Sequence, residues 1–561
     1  MNKTISKTLL LAPMVAIALT VTAYAAAPGI QGPSFSLTAK QNFLNQPDGS
    51  SVYAWGYGCS SGYSATMLPK GLAGPNATCP DSQIPGPTLI VTEGQVVTVT
   101  LTNNLPTAAG NTSILFPGFQ VCLGTINSTS GVCGTPTAGN GVAGLLAQEA
   151  VPLGSVTYSF VASSPGTRAY YSGTQSDLQV EMGLYGAVIV LPKTVPGVCD
   201  LGLAAANVQV ELAHGETDWR LAHAAYDHDK TCYDREYLFQ FSEMDFNIHR
   251  QALAQVSDPV RTAACTSIPT GPGCSLDVPT EPYHPSFFLI NGRSMPDDMD
   301  ANYAGEYPHQ PYNGNPHMHP GEQVLLRVIG QGRWQHPFHE HANHVRILAR
   351  DGNLITSASN SDLLAGPLLF TTTTTPGLAF DGLFYFTGRG LNWDMYAHRT
   401  QSGASALGPN GNTFTKTANE ELPCSPDTNG YYTVNSPSPA PVAAINYYEW
   451  CQDHNKPLEV APFGDVEGGG PATLPNANIL TNGAWFSGSP YLGPDATTRA
   501  TGPLSSFQPS NIQANPANER GFAFMWHSHN EREITTNNVF PGGMLMMMLV
   551  DSREFLIDES N

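Results

Sequence analysis

The chain has 561 residues, too many for a single hydrophobic core, so two to four domains are expected. Hydrophobic residues make up 41% and charged residues only 12%, with 55 Gly and 46 Pro, which argues against long helical Glu/Lys faces and for a loop-rich all-β protein. The formal net charge of −21 repels nucleic acid phosphates and anionic lipid, and by itself names no other partner.

Residues 1–25 read as an export signal: Lys3 and Lys7 are basic, Leu9 to Val21 is apolar, and Ala23-Tyr24-Ala25 is a small-x-small cleavage site. The apolar run is short for a membrane span, and no later stretch is long and apolar enough to cross a bilayer. The mature chain is therefore expected to be exported, periplasmic or extracellular. All ten cysteines follow the signal, which favours disulfides. Local spacing suggests Cys59/Cys79, Cys122/Cys133, Cys265/Cys274 and Cys424/Cys451, leaving Cys199/Cys232, although spacing does not fix the connectivity.

Strands begin after a linker near residues 26–32. From Gln83 to Pro106, turn residues bracket two alternating segments, Leu89/Val91 and Val97/Val99/Leu101, with Glu93-Gly94 as a hairpin turn. They are expected to be antiparallel strands of a β-sandwich. Asn207–Leu212 and Tyr237–Asp245 also read as strands, the second more continuously apolar. His223–Asp229 between them reads as a solvated turn rather than a metal loop. Ser286–Ser294 is a further strand and turn, and His317-Met-His319 is expected to be an exposed loop pair. Residues 399–515 are rich in Gly, Pro, Asn, Ser and Thr and read as an insertion.

The densest chemistry lies in His336-Pro-Phe-His339-Glu-His341 and His527-Ser528-His529. Alternate side chains of a strand share a face, so His339 can point with His341, and His527 with His529. If the two motifs meet, up to five imidazoles could converge, and imidazole suits copper or zinc. The competing reading keeps the histidines as metal-free, hydrogen-bonded core groups. No nucleophile elbow, phosphate loop or dinucleotide turn is present.

Together, the Gln83–Pro106 segment, the Pro165-Gly-Thr turn, the Phe-x-Ile-Asn-Gly turn near Asn291 and the two histidine motifs resemble the multicopper oxidases. The resemblance runs from about Gln83 to Val550, without the insertion. It implies three cupredoxin-like Greek-key β-sandwich domains, at 26–195, 196–315 and 316–561, the last carrying the 399–515 insertion. It implies that His336 binds an electron-accepting copper, and that His339, His341, His527 and His529 belong to an oxygen-reducing cluster. It also exposes gaps. Leu115, Pro117, Tyr171 and Gly173 stand where the first domain's four copper histidines belong. Ser528 stands at the thiolate position and Glu533 at the last histidine of the electron-accepting site. A serine hydroxyl is a poor copper ligand, so no intense blue thiolate site is expected.

What remains is a metal set of His336, His339, His341, His527 and His529, holding one or two copper ions rather than four. The resemblance implies an oxidoreductase acting on a phenolic or metal-ion substrate; the alternative is a non-catalytic extracellular binding or structural protein on the same scaffold. Met544, Met546, Met547 and Met548 are expected in a buried final strand, and Asn530 is expected to cap a turn with Glu531 and Glu533 near its positive end. His344 and His398 have no assigned ligand role.

Overall fold

A computed structural model describes residues 27–70, 78–201, 218–267, 274–318, 322–385, 521–551 and 557, plus the backbone of five short strands between 405 and 491. The signal at 1–25, the strand expected at Asn207–Leu212, and His319, His398 and the Cys424/Cys451 pair lie outside the residues whose side chains are described.

The first sandwich uses strands β1 (Gly29–Gln31), β2 (Ser34–Asn45), β3 (Ser51–Cys59), β4 (Met67–Leu68), β5 (Leu89–Thr92), β6 (Val96–Asn104), β7 (Ser155–Val161), β8 (Gly166–Tyr171) and β9 (Tyr185–Leu191). One sheet runs β8-β9-β5-β1-β4 and the other β7-β6-β2-β3. The alternation read in the sequence is kept in β6, where Val97, Val99 and Leu101 are buried between polar neighbours. Glu93-Gly94 does not make a hairpin, however. β5 pairs with β1 and β9, whereas β6 pairs with β2 and β7, so the turn carries the chain from one sheet to the other. Gly94 takes φ +84°, a left-handed conformation that glycine adopts without a Cβ clash.

The second sandwich contains β10 (Arg235–Met244), helix α1 (Phe246–Val256), β11 (Phe287–Ile290), β12 (His317–Met318), β13 (Gln323–Gly330), β14 (His336–Glu340), β15 (Val345–Arg350), β16 (Asn353–Leu354), β17 (Leu368–Leu369), β18 (Thr371–Thr374), β19 (Ala379–Tyr385), β20 (Gly521–Ser528) and β21 (Leu545–Asp551). One sheet runs β11-β10-β13-β19-β15-β16, with β17 on β15; the other runs β12-β21-β20-β14-β18. The all-β class expected from composition and alternation forms, with the Greek-key-like sandwiches that the resemblance implies. Strands from both sides of the boundary expected at 315/316 share a sheet. β10, from the segment expected to be a middle domain, runs parallel to β13, from Arg235↔Val324 to Phe241↔Gly330. Among the described residues, the strands of 196–315 thus complete the sheet of the residues that follow.

β10 explains the join between the sandwiches. Every residue in it is buried. Tyr237, Phe239 and Phe241 enter the second core with Phe338 and Trp526. On the opposite face, Leu238 packs with Ile90, Ala187 and Ile189 of the first sandwich, and Ser242 accepts a hydrogen bond from the Tyr185 hydroxyl. The strand is buried on both faces although half of its residues are polar, and its buried charges are paired: Arg235 with Glu322 at 2.7 Å and Glu236 with Arg327 at 2.9 Å.

Met544, Met546 and Met548 are buried at the start of and within β21, as expected. His317 is buried on β12, paired to β21, and is not part of an exposed loop. Its burial follows from β21, the last strand, which gives the short His317-Met318 segment a parallel partner. Cys59–Cys79, Cys122–Cys133 and Cys199–Cys232 are disulfide-bonded. Cys265 and Cys274 are buried beside one another, and burial followed by the Cys265 contact pushes the Cys274 thiol up. No helix among the described residues is long and apolar enough to cross a membrane.

Candidate metal centre

The two histidine motifs meet. β14 and β20 are antiparallel neighbours, with Phe338 opposite Ser528, His339 opposite His527, and Glu340 opposite Trp526. The His529 N–H donates to the Pro337 carbonyl at 2.8 Å and extends the pairing beyond the strand end.

Strand alternation then divides the histidines between two faces. His336, Phe338 and Glu340 point into the core, as do Trp526 and Ser528. His339 and His341 point the other way, with His527 and His529. Five imidazoles therefore do not converge. Positions 336 and 339 are an odd number of residues apart on one strand, so His336 is separated from the other four by the sheet itself.

On the outer face, ring centroids lie 4.9 Å apart for His339–His341, 5.0 Å for His339–His529, 5.6 Å for His339–His527, and 5.3 Å for both His341–His527 and His527–His529. An ion bound tetrahedrally by imidazole nitrogens at about 2.0–2.1 Å would set its ring centroids roughly 5 Å apart. Five of the six ring separations are of that size. The ring orientations are not yet closed on an ion: among the described residues, no three His, Cys, Asp or Glu side chains are arranged to hold a metal. Rotation of the rings about their side-chain bonds is needed to bring their nitrogens to a common point.

The hydrogen bonds of this face leave suitable donors. His339 Nδ1 bonds Thr371 Oγ1 at 2.7 Å, and His527 Nδ1 bonds the Ser528 carbonyl at 2.7 Å. A ring held through Nδ1 to a carbonyl carries its proton there and presents the Nε2 lone pair, a common way of fixing a metal-binding tautomer. His341 Nδ1 is buried without a hydrogen-bond partner. Burial, followed by the neighbouring imidazoles, pushes His339 and His341 down to about 4. Burial also pushes His527 down, against the opposing hydrogen bond to Ser528. His339, His341 and His527 are thus neutral near pH 7, and an ion need displace no proton from them.

The inner face is chemically different. His336 is fully buried. Its Nε2 lies 3.0 Å from Glu243 Oε2 and its Nδ1 2.8 Å from Glu533 Oε2. Burial alone would lower its basicity, but the hydrogen bonds and charges of the two carboxylates prevail and hold it at about 9. Glu243 Oε1 also accepts the Arg333 and Trp334 N–H groups at 2.6 and 2.8 Å. Glu533 accepts from the Ser528 hydroxyl and, at 2.9 Å, from Asn530 Nδ2.

Glu533 was expected at the positive end of a capped turn. Asn530 does open that turn, its Oδ1 accepting the Arg532 N–H, but Glu533 is turned inward onto His336 because only there does its carboxylate meet a cation and two further donors. Sequence reading missed Glu243 altogether. It lies on an apolar-looking strand 93 residues before His336, and the single signal was a charged residue at a core-facing position of that strand.

Other positions stay apart. Leu115 and Tyr171 bridge one another, with the Leu115 N–H 2.7 Å from the Tyr171 carbonyl. A Cβ on Gly173 would stand 2.8 Å from Leu115 Cγ, so this corner of the first sandwich is filled by carbon. His228 and His223 belong to a surface turn: His228 Nε2 is 3.1 Å from the Ser361 carbonyl and His223 Nε2 is 3.6 Å from Asp218. His344 lies against Phe370, with ring centroids 5.1 Å apart.

No curated protein matches the chain. Among solved structures, it is similar to a multicopper oxidase designated mgLAC, at 13% identity over 92% of this chain and 86% of that one, with a TM-score of 0.42. It is similar to a blue copper oxidase from Nitrosomonas europaea at 13% identity over 92% and 85%, with a TM-score of 0.42, and to a copper nitrite reductase from Nitrosomonas europaea at 17% identity over 64% and 85%, with a TM-score of 0.34. Overlaps this loose decide nothing about the chemistry of the chain. The family model for multicopper oxidases matches residues 65–195, the span that contains Leu115, Pro117, Tyr171 and Gly173. By that match, residues 65–195 are similar to a multicopper oxidase domain.

Proposed function

We propose that the protein is an exported, multicopper-oxidase-like oxidoreductase whose metal site is reduced to His339, His341, His527 and His529, holding one or two copper ions. The observation that carries this reading is the meeting of those four rings across β14 and β20, with five of their six centroid separations at 4.9–5.6 Å. The donor set fits copper: imidazole suits it, and His339, His341 and His527 are held neutral by burial. Bound copper would supply one-electron redox chemistry. The chain's part is to hold His339 through Thr371 and His527 through the Ser528 carbonyl. His339, His341 and His529 are partly exposed, which lets a small phenolic or metal-ion donor approach this face from solvent.

Carbon-filled positions 115, 171 and 173 argue against the four-copper reaction, since three of the four first-domain ligands that the resemblance implies would have to come from there. Oxygen uptake by the copper-loaded protein with phenolic and metal-ion donors tests the reading. Uptake above background in the wild type, lost in His339→Ala and His527→Ala, is expected. Bound copper with background uptake would favour the second reading, a binding or structural protein on the same scaffold.

A further inference from the structure

We propose that position 336 is closed to metal ions: its imidazole is a buried, doubly protonated clamp between Glu243 and Glu533, and it binds two carboxylates in place of an ion. A metal needs a lone pair on the ring. Both ring nitrogens of His336 instead face carboxylate oxygens, at 3.0 and 2.8 Å. Ionised carboxylates only accept hydrogen bonds, so the ring must donate through both nitrogens.

The two nitrogens of an imidazole point to opposite sides, so Glu243 and Glu533 flank the ring. No single ion can reach both carboxylates and the ring together. This separates the cluster from a carboxylate-rich metal site, although it contains suitable residue types.

Each carboxylate is also engaged elsewhere. Glu243 is held by the Arg333 and Trp334 N–H groups. Glu533 is held by Ser528 and Asn530, and Ser528 and Glu533 occupy the two positions where the family resemblance implies metal ligands. The cluster reaches the first sandwich through Tyr283, whose hydroxyl donates to Glu181 Oε2 at 2.6 Å and lies 3.4 Å from Glu243 Oε1. Admitting an ion would require a ring proton to leave and a carboxylate to break its other bonds. The elevated basicity of His336 acts in the same direction.

With no ion on the inner face, a donor molecule has to deliver electrons directly at the outer imidazole face. The clamp does not depend on that face binding copper, so the two ideas fail separately.

Nitrogen-15 NMR of the full chain labelled in histidine tests the clamp. His336→Gln identifies the ring signals by their loss; Glu533→Gln, which keeps the side-chain shape, identifies them by their shift if the first variant does not fold. The expected result at neutral pH is two N–H-bearing nitrogens on His336, unchanged when Zn(II) or Cu(I) is added to saturation. Metal content of His336→Gln should equal that of the wild type. Loss of either His336 N–H on adding Zn(II) or Cu(I), or one fewer metal equivalent in His336→Gln, would overturn the proposal. A wild type that binds no metal but keeps both His336 N–H signals would sink the proposed copper function and leave the clamp standing.

Discussion

The two faces of the β14–β20 pair carry the same side chain in opposite chemical states. On the inner face, one imidazole is enclosed by two carboxylates and held at about 9. On the outer face, His339 and His341 stand among imidazoles and are held at about 4. Burial lowers the basicity of all three. What differs is the sign of the neighbours, and hence what each ring can bind. A doubly protonated ring is a donor to anions; a neutral ring is a ligand for cations.

Removing the cation from the inner face should have the largest effect on stability. His336→Ala leaves Glu243 and Glu533 buried without their counter-charge and should cost about 3–5 kcal/mol in urea unfolding. His339→Ala in the metal-free protein, at a half-exposed position, should cost less than about 1 kcal/mol. Equal losses would break the comparison. Next in size, Ser528→Ala removes a buried hydroxyl donor from Glu533 and should cost about 1–3 kcal/mol by the same measurement.

The pH dependence should run in opposite directions for the two faces. His336 is raised above its ordinary 6.5, so its contribution is fully present below about 6.5 and is lost as pH rises through about 9. His339 and His341 are lowered, so their contribution is present above about 6.5 and is lost as pH falls towards about 4. Thermal melting of the metal-free protein across this range should therefore fall at both ends. His336→Gln should flatten only the alkaline limb, and His339→Ala should weaken only the acid limb. The smallest effect is expected at Glu531, which is 76% exposed at 3.6 Å from His529. Glu531→Gln should leave melting unchanged in moderate salt, and a clear shift there would mean that the outer face feels surface charge.

Much of this division can be read in the sequence through strand alternation alone. His339/His341 and His527/His529 are correctly paired because residues two apart share a face. The same rule sets His336 apart, since it is three residues from His339; spacing that suggested a common site of five in fact distributes them. Contacts made by sequence-distant residues were not legible. Glu243 and Glu533 lie 93 and 197 residues from His336, and no local pattern joins them. Ser528 and Glu533 read as lost ligands, whereas together they form a hydrogen-bonded replacement. Glu93-Gly94 shows a similar limit: alternation identified both strands, but a turn between two strands does not reveal whether they share a sheet. Nor did composition reveal that β10 completes the sheet of β13, because a buried central strand reads the same in either unit.

X-ray absorption on the copper-loaded protein tests the central claim most directly. A first shell of imidazole nitrogens from at least three rings, with no sulfur, lost in His339→Ala and His527→Ala but intact in His336→Gln, is the predicted result. A sulfur shell, or an imidazole shell that disappears with His336 and survives loss of His339 and His527, would contradict the account.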